Sequence, residues 1–371
     1  MMDGVGAGRE RLSWRLAFAS LLGVLALWAA SADAATAPTA LQPCQTQAPP
    51  ADVAPQAQSA VAELQDLIED VPCTDSGRIS YDTTDNLGGG MDVLDPITDP
   101  DGGYLGVYHT AFGPYPWQFR ISLAQSADLI HWTQIVVLDP LGASMPTLRA
   151  VPGTSGFLLA YEKKIPHVGN VVRLRYYSSL GQLEAGRFAA QRDLPQTFSR
   201  FNDGTPTILS ITWHHGLARS VIHIGFHYET AARGRRGPDR EAIGTLVDFK
   251  RWTAHTERPL DAALDRQGLS GSHGDWRQFS FAGDQWRIYE GQTTWGDFGS
   301  WRVVLQDTST GQLYPLTLSS EAQAISGSVA NPVVAVLPAP DGVGQVLVVT
   351  LYLFTADPPA LPGELVYYQT L

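Results

Sequence analysis

The sequence predicts an all-β protein folded as a five-bladed β-propeller, and three observations carry that reading. A unit made of a short strand near an X-Pro step, a turn with Gly or Asp and a strongly apolar second strand recurs five times. From about Gly77 onward no long helical period interrupts the runs of β-branched and aromatic residues. The last unit ends before it can form a fourth strand, while Arg78-Ile79-Ser80-Tyr81 precedes the first unit with nothing to pair with. Placing this N-terminal strand in the last blade closes the ring and removes long exposed sheet edges.

Taken from the start, Arg9, Arg11 and Arg15 precede an apolar run from Leu16 to Ala30 and a small-residue site at Ala32-Asp33-Ala34. Residues 1–34 therefore read as a secretory signal peptide, and the mature chain is expected to be secreted or periplasmic. No later stretch is apolar enough to span a bilayer, so no membrane association is expected. Residues 35–75 read as a linker, rich in Ala, Pro, Thr and Gln, followed by a helix-like stretch from Ser59 to Glu69. Cys44 and Cys73 flank that stretch, and an oxidising compartment would pair them.

Residues 76–371 form the propeller. Its units begin at Asp95-Pro96, Met145-Pro146, Thr205-Pro206, Trp276-Arg277 and Asn331-Pro332. Second strands follow at Gly103 to His109, Gly156 to Glu162, Val221 to Tyr228, Gln285 to Glu290 and Gln345 to Phe354. Third strands are read at Gln118 to Ala124, Val172 to Tyr177, Ala242 to Val247, Trp301 to Gln306 and Glu364 to Tyr368. Asp128-Leu129-Ile130-His131-Trp132 and Asp248-Phe249-Lys250-Arg251-Trp252 repeat one pattern before a fourth strand.

In a propeller the start of each innermost strand and the end of the second strand meet at one mouth of the axial channel. Here that rule selects Asp92, Asp95, His109, Glu162, Asp203, His227, Asp275, Arg277, Glu290 and Asn331, a set rich in carboxylates. Asp95-Pro96-Ile97, Gly103-Tyr104-Leu105 and Ala124-Gln125-Ser126-Ala127-Asp128-Leu129-Ile130-His131-Trp132 resemble the opening blade of the arabinanase, β-xylosidase and invertase/levansucrase superfamily of glycoside hydrolases. The resemblance implies a hydrolase that cleaves glycosidic bonds, furanosidic ones included, with a pair of carboxyl groups at the axis.

Glycoside cleavage needs one protonated and one ionised carboxyl group flanking the bond. By resemblance Asp95 is the base or nucleophile, with Asp92 before the same strand as its alternative. The relatives carry Glu two residues before Pro in the third blade, whereas Gly204 stands there in this chain. Asp203, next to it, is the first candidate for the acid, followed by Glu290 and then Glu162. The relatives also carry an Asp in the second blade that positions the acid, and Met145-Pro146 offers none.

Glu162, His227, His273, Trp276, Arg277, Asn331 and Asp92 are read as substrate-binding, and Trp117 and Trp295 as further stacking surfaces. No His/Asp spacing is a recognised metal motif, so no metal ligands and no cofactor are assigned. The resemblance leaves room for a structural calcium at the axis, near His273. A net charge of −12 without a basic run argues against nucleic acid as the partner, and the resemblance implies a carbohydrate substrate. The alternative is a propeller that binds carbohydrate without cleaving it.

Overall fold

The computed structural model describes residues 60–69, 71, 76–113, 115, 118–232, 235–320, 323–324, 327–355 and 361–371. The signal-peptide segment, Cys44 and Cys73, Trp117 and Arg233-Gly234 lie outside the described residues.

Five four-stranded antiparallel sheets follow one another along the chain. Helix α1 (Ala60–Glu69) and strand β1 (Ile79–Ser80) come first. Blade I holds β2 (Asp92–Thr98), β3 (Tyr104–Ala111), β4 (Phe119–Ser126) and β5 (Thr133–Asp139). Blade II holds β6 (Ala143–Ala150), β7 (Phe157–Ile165), β8 (Gly169–Tyr177) and β9 (Ala190–Asp193), with the short helix α2 (Leu180–Glu184) before β9. Blade III holds β10 (Asp203–Trp213), β11 (Ser220–Ala232), β12 (Arg235–Val247) and β13 (Arg251–Thr256), and helix α3 (Arg258–Arg266) leaves it.

Blade IV holds β14 (His273–Phe281), β15 (Asp284–Gln292), β16 (Trp301–Asp307) and β17 (Leu313–Pro315). A two-residue ladder, β18 (Ser319–Ser320) with β19 (Gln323–Ala324), separates it from blade V. That last sheet runs β20 (Ser328–Pro338), β21 (Gln345–Thr355), β22 (Gly363–Thr370) and then β1, whose Ile79 lies opposite Tyr367. The innermost strands β2, β6, β10, β14 and β20 each touch the next, and β20 touches β2 again, so the sheets stand in a ring around an axis.

Glycines set the spacing between and within blades. A Cβ at Gly225 would lie 2.0 Å from the Trp276 ring, and one at Gly244 would lie 2.0 Å from Trp252. Trp276 therefore packs against the backbone of blade III and stacks on Tyr289, with ring centroids 5.1 Å apart. Leu64 and Ile68 of α1 are fully buried among Phe279, Ile288, Leu347 and Leu365 of blades IV and V, so this helix is part of the core.

Each inner strand opens with a β-bulge at the same place. The register jumps between Asp92 and Asp95, Ser144 and Thr147, Gly204 and Thr207, His273 and Trp276, and Ala330 and Val333. This corrects the repeat inferred from prolines: Leu94 and Asp275 stand where Pro146, Pro206 and Pro332 stand. Asp95-Pro96 and Trp276-Arg277 lie one and two residues further along their strands. In three dimensions Asp95 is the equivalent of Thr147 and Thr207.

Since the Trp276 ring has no room to retreat, Gly225→Ala is expected to lower stability by about 1–3 kcal/mol through overpacking. Denaturant melts of the variant would show it, whereas an unchanged midpoint would mean that the blade III–IV seam is loose.

Candidate active site

The bulges create the site's first constraint. Val93, Met145, Thr205 and Asn331 occupy the left-handed region, with φ of 58°, 52°, 41° and 52°. Such a conformation is costly for a β-branched residue, and a bulged N–H loses its ladder partner. In every one of these four cases a side chain from the preceding blade accepts that N–H.

Glu364 of blade V accepts from Val93 at 3.2 Å and Leu94 at 3.1 Å. His109 Nδ1 of blade I accepts from Met145 at 3.3 Å. Glu162 Oε2 of blade II accepts from Thr205 at 3.4 Å. Glu290 of blade IV accepts from Asn331 through Oε2 and from Asp275, at 2.7 Å, through Oε1. At the remaining seam His273 takes over: its Nδ1 meets Asp261 of α3 at 2.8 Å, and Asp261 also accepts the N–H of Glu241 at 3.0 Å.

These contacts divide the residues nominated from sequence. Glu290 is buried with both carboxylate oxygens committed to backbone N–H groups. Burial, then the nearby charge of Asp275, pushes its pKa up to about 8. His273, fully buried, faces Asp261 and the carbonyl of Leu269. Trp276, at 1% exposure, is core between blades, and Asn331 holds the bulge that Glu290 clamps.

Arg277 is fully buried too, and its guanidinium binds Asp275, the carbonyl of Trp276 and, across the axis in blade II, the carbonyl of Pro146. Burial raises the pKa of Asp275 to about 6 against the opposing pull of Arg277. His273, Trp276 and Arg277 thus lie in the interior, out of reach of a ligand arriving from solvent.

Asp95 is buried in β2, close enough to Asp275 for its charge to help raise that residue's pKa. It accepts Leu148 N–H at 2.9 Å and is paired with Arg149 at 2.8 Å. Asp95 and Arg149 line a cavity of ≈ 690 Å³ with Ile97, Gln278, Ser280 and Ala335, residues at the exits of the inner strands. Asp203 opens β10, and Glu290 lies near the end of β15.

The mouth at the strand starts keeps two partly exposed carboxyl groups. Asp92 begins β2 opposite His109, with its side chain 20% exposed and its Oδ2 3.8 Å from His109 Nε2. Because His109 Nδ1 accepts an N–H, its proton sits on Nε2, facing Asp92. Burial lowers the pKa of His109 to about 3, so the ring is neutral. Burial, helped by Asp82, raises the pKa of Asp92 to about 7.

Glu162, half-buried near the end of β7, accepts from the Asn170 amide as well as from Thr205. Burial raises its pKa, while His227, the Thr205 N–H and Lys164 pull it down. His227 holds Thr205 Oγ1 through Nδ1 at 2.5 Å. Asp203 is buried behind them, with Oδ2 accepting Thr197 N–H at 3.0 Å and Oδ1 unpartnered; burial raises its pKa to about 6.

A Cβ placed on Gly204 would lie 2.4 Å from Glu162 Oε2 and 2.9 Å from His227 Nε2. Gly204 is therefore required: Glu162 and His227 converge on the space that a side chain there would fill. Tyr352 of blade V is half-buried and close enough for the charge of Asp92 to raise its pKa, and Trp295 and Phe298 on the β15–β16 loop are exposed. Tyr352, Phe354 and Phe298 were not selected from sequence, where aromatics of an apolar strand are indistinguishable from core. Among the described residues no group of three or more His, Cys, Asp or Glu is set to hold a metal ion.

No family model and no curated protein matches the chain. Among solved structures it is similar to a thermostable family-43 glycoside hydrolase, at 11% identity over 79% of this chain and 93% of that one, with a TM-score of 0.46. It is also similar to an α-L-arabinofuranosidase from Lactobacillus brevis, at 12% identity over 78% and 93% with a TM-score of 0.48. A third is the Penicillium chrysogenum α-L-arabinanase complexed with arabinobiose, at 11% identity over 79% and 98% with a TM-score of 0.44. The propeller assignment rests on this chain's own strand order.

The clamps make stability pH-dependent in a fixed direction. Glu290, Asp92, Asp275 and Asp203 all have folded pKa values raised above their ordinary ones, so ionising them opposes folding. Their full contribution is present below about pH 4 and is lost as pH rises toward 8. The melting temperature should fall between pH 5 and pH 8; a rise across that window would contradict the burial of these groups.

Proposed function

We propose that this protein is an exported glycoside hydrolase that cleaves an oligosaccharide or polysaccharide at the strand-start mouth, using Asp92 and Glu162. The observation that carries this reading is the convergence of Glu162 on the side-chain space of Gly204. In the pattern that the sequence resembles, a Glu belongs at that place in the third blade. Here the carboxylate arrives from the second blade instead, and the glycine makes room for it.

The two groups differ in the way that the chemistry needs. Asp92 is raised to about 7, and burial and the charge of Asp82 both act upward on it. It is the proton donor to the departing glycosidic oxygen. Burial raises the Glu162 pKa, and His227, the Thr205 N–H and Lys164 oppose that rise toward the ionised form. Glu162 supplies the carboxylate that activates water or attacks the anomeric carbon. Export follows from the reading of residues 1–34 as a signal peptide.

Asp92→Asn and Glu162→Gln are each expected to lower kcat by 10²-fold or more, the scale of a lost general acid or base. In the wild type kcat/KM should fall above about pH 7, as Asp92 loses its proton. Hydrolysis of furanosyl and pyranosyl oligosaccharides by the purified protein would read both. Met145 and Gly204, which stand where the resembled pattern has carboxylates, favour a second reading as a carbohydrate-binding propeller. Calorimetric binding without turnover, unchanged in Asp92→Asn, would establish that reading in place of the first.

A further inference from the structure

One surface of the mouth has no role in the chemistry above. The loop from Thr293 to Ser300 joins β15 to β16 and carries Trp295, 54% exposed, and Phe298, 55% exposed. It is held rigidly. Gln292, only 3% exposed, accepts Gly296 N–H at 3.1 Å and donates to the Asp297 carbonyl at 3.2 Å. Ser300 Oγ donates to the carbonyls of Thr294 and Asp297, and Ser328 Oγ of blade V donates to the Phe298 carbonyl at 2.6 Å. A buried polar network thus fixes two large rings in solvent, where hydrophobicity alone would not leave them.

Phe298 does not stand alone. Its ring meets Phe354 edge-on at 5.5 Å between centroids, and Phe354 meets Tyr352 in the same way at 4.9 Å. Tyr352 in turn feels the charge of Asp92. The three rings make a track from the rim of blade V to the proton donor. It is a line of three rings, and Thr293, Thr294 and Asp297 share the loop of Phe298. Such a strip matches a sugar chain, whose C–H faces pack on rings while its hydroxyls reach polar neighbours at the edges.

We propose that Tyr352, Phe354 and Phe298 form an extended glycan subsite, so that the ligand is a chain of several sugar units lying across blade V rather than a lone mono- or disaccharide. This inference deepens the proposed function and rests on the mouth being a carbohydrate site. The test compares wild type with Phe298→Ala and with Phe298→Ala/Phe354→Ala on furanosyl and pyranosyl oligosaccharides of about two and about six units, by calorimetry and by hydrolysis.

The expected result is a roughly three- to tenfold weaker Kd, or higher KM, for the longer chains with the shorter ones unchanged. Phe298→Trp, which keeps an aromatic face, should restore it. Phe298 is exposed, so an unchanged melting temperature will show that Phe298→Ala folds normally. Equal effects on both lengths, no effect on either, or no binding of any oligosaccharide by the wild type would overturn the subsite. Length-dependent binding without turnover would keep the subsite and remove the hydrolytic reading; turnover without length dependence would do the reverse.

Discussion

The interaction on which the rest of the molecule depends is the hydrogen bond from a bulged backbone N–H to a side chain of the preceding blade. A propeller with five sheets has a crowded axis, and the bulges turn the inner strands so that they fit around it. Each bulge leaves an amide without a ladder partner. Glu364, His109, Glu162 and Glu290 supply the acceptors at four seams, and the His273–Asp261 pair joins the fifth. Each acceptor belongs to one blade and each donor to the next, so the clamps join neighbours as well as satisfying the backbone.

That role explains why an axis rich in acidic residues is not an axis rich in catalysts. Glu290, only 3% exposed and held by two backbone N–H groups, has no path to a substrate. Arg277 bonds blade IV to the Pro146 carbonyl of blade II, and Asp95 pairs with Arg149. Chemistry is left to groups that keep some exposure: Asp92 has 20% of its side chain exposed, with His109 Nε2 at 3.8 Å, and Glu162 stays half-buried. Glu162 thus combines both functions, clamping Thr205 through one oxygen while lying beside His227 and Lys164.

Much of the fold was legible because it is written in local patterns. Proline steps, apolar second strands and the two Asp-x-x-x-Trp endings repeat in the text, and the observed strands coincide with them within a few residues. The position of the bulge was legible in three blades, where proline marks it, and not in blades I and IV, where Leu94 and Asp275 stand in its place. That difference puts Asp95 in register with Thr147 and Thr207, one residue beyond the bulge. Helix α3 was foreshadowed only by Pro259 at its first turn, and with it the partner of His273 went unseen. The approach of Glu162 to Gly204 depends on blade spacing, which no local pattern encodes. Gly204 itself was visible as a departure, and its physical meaning appears only when the neighbouring blade is beside it.

The central claim is a division of labour among buried carboxyl groups: Glu290 and Glu364 hold blades together, while Asp92 and Glu162 face the ligand. Carbon-13 NMR of the side-chain carboxyls, followed as an oligosaccharide that the protein binds is added, tests it most directly. The account predicts that the Asp92 and Glu162 resonances move with ligand while those of Glu290 and Glu364 stay still. Movement of Glu290 with Asp92 and Glu162 silent would contradict it.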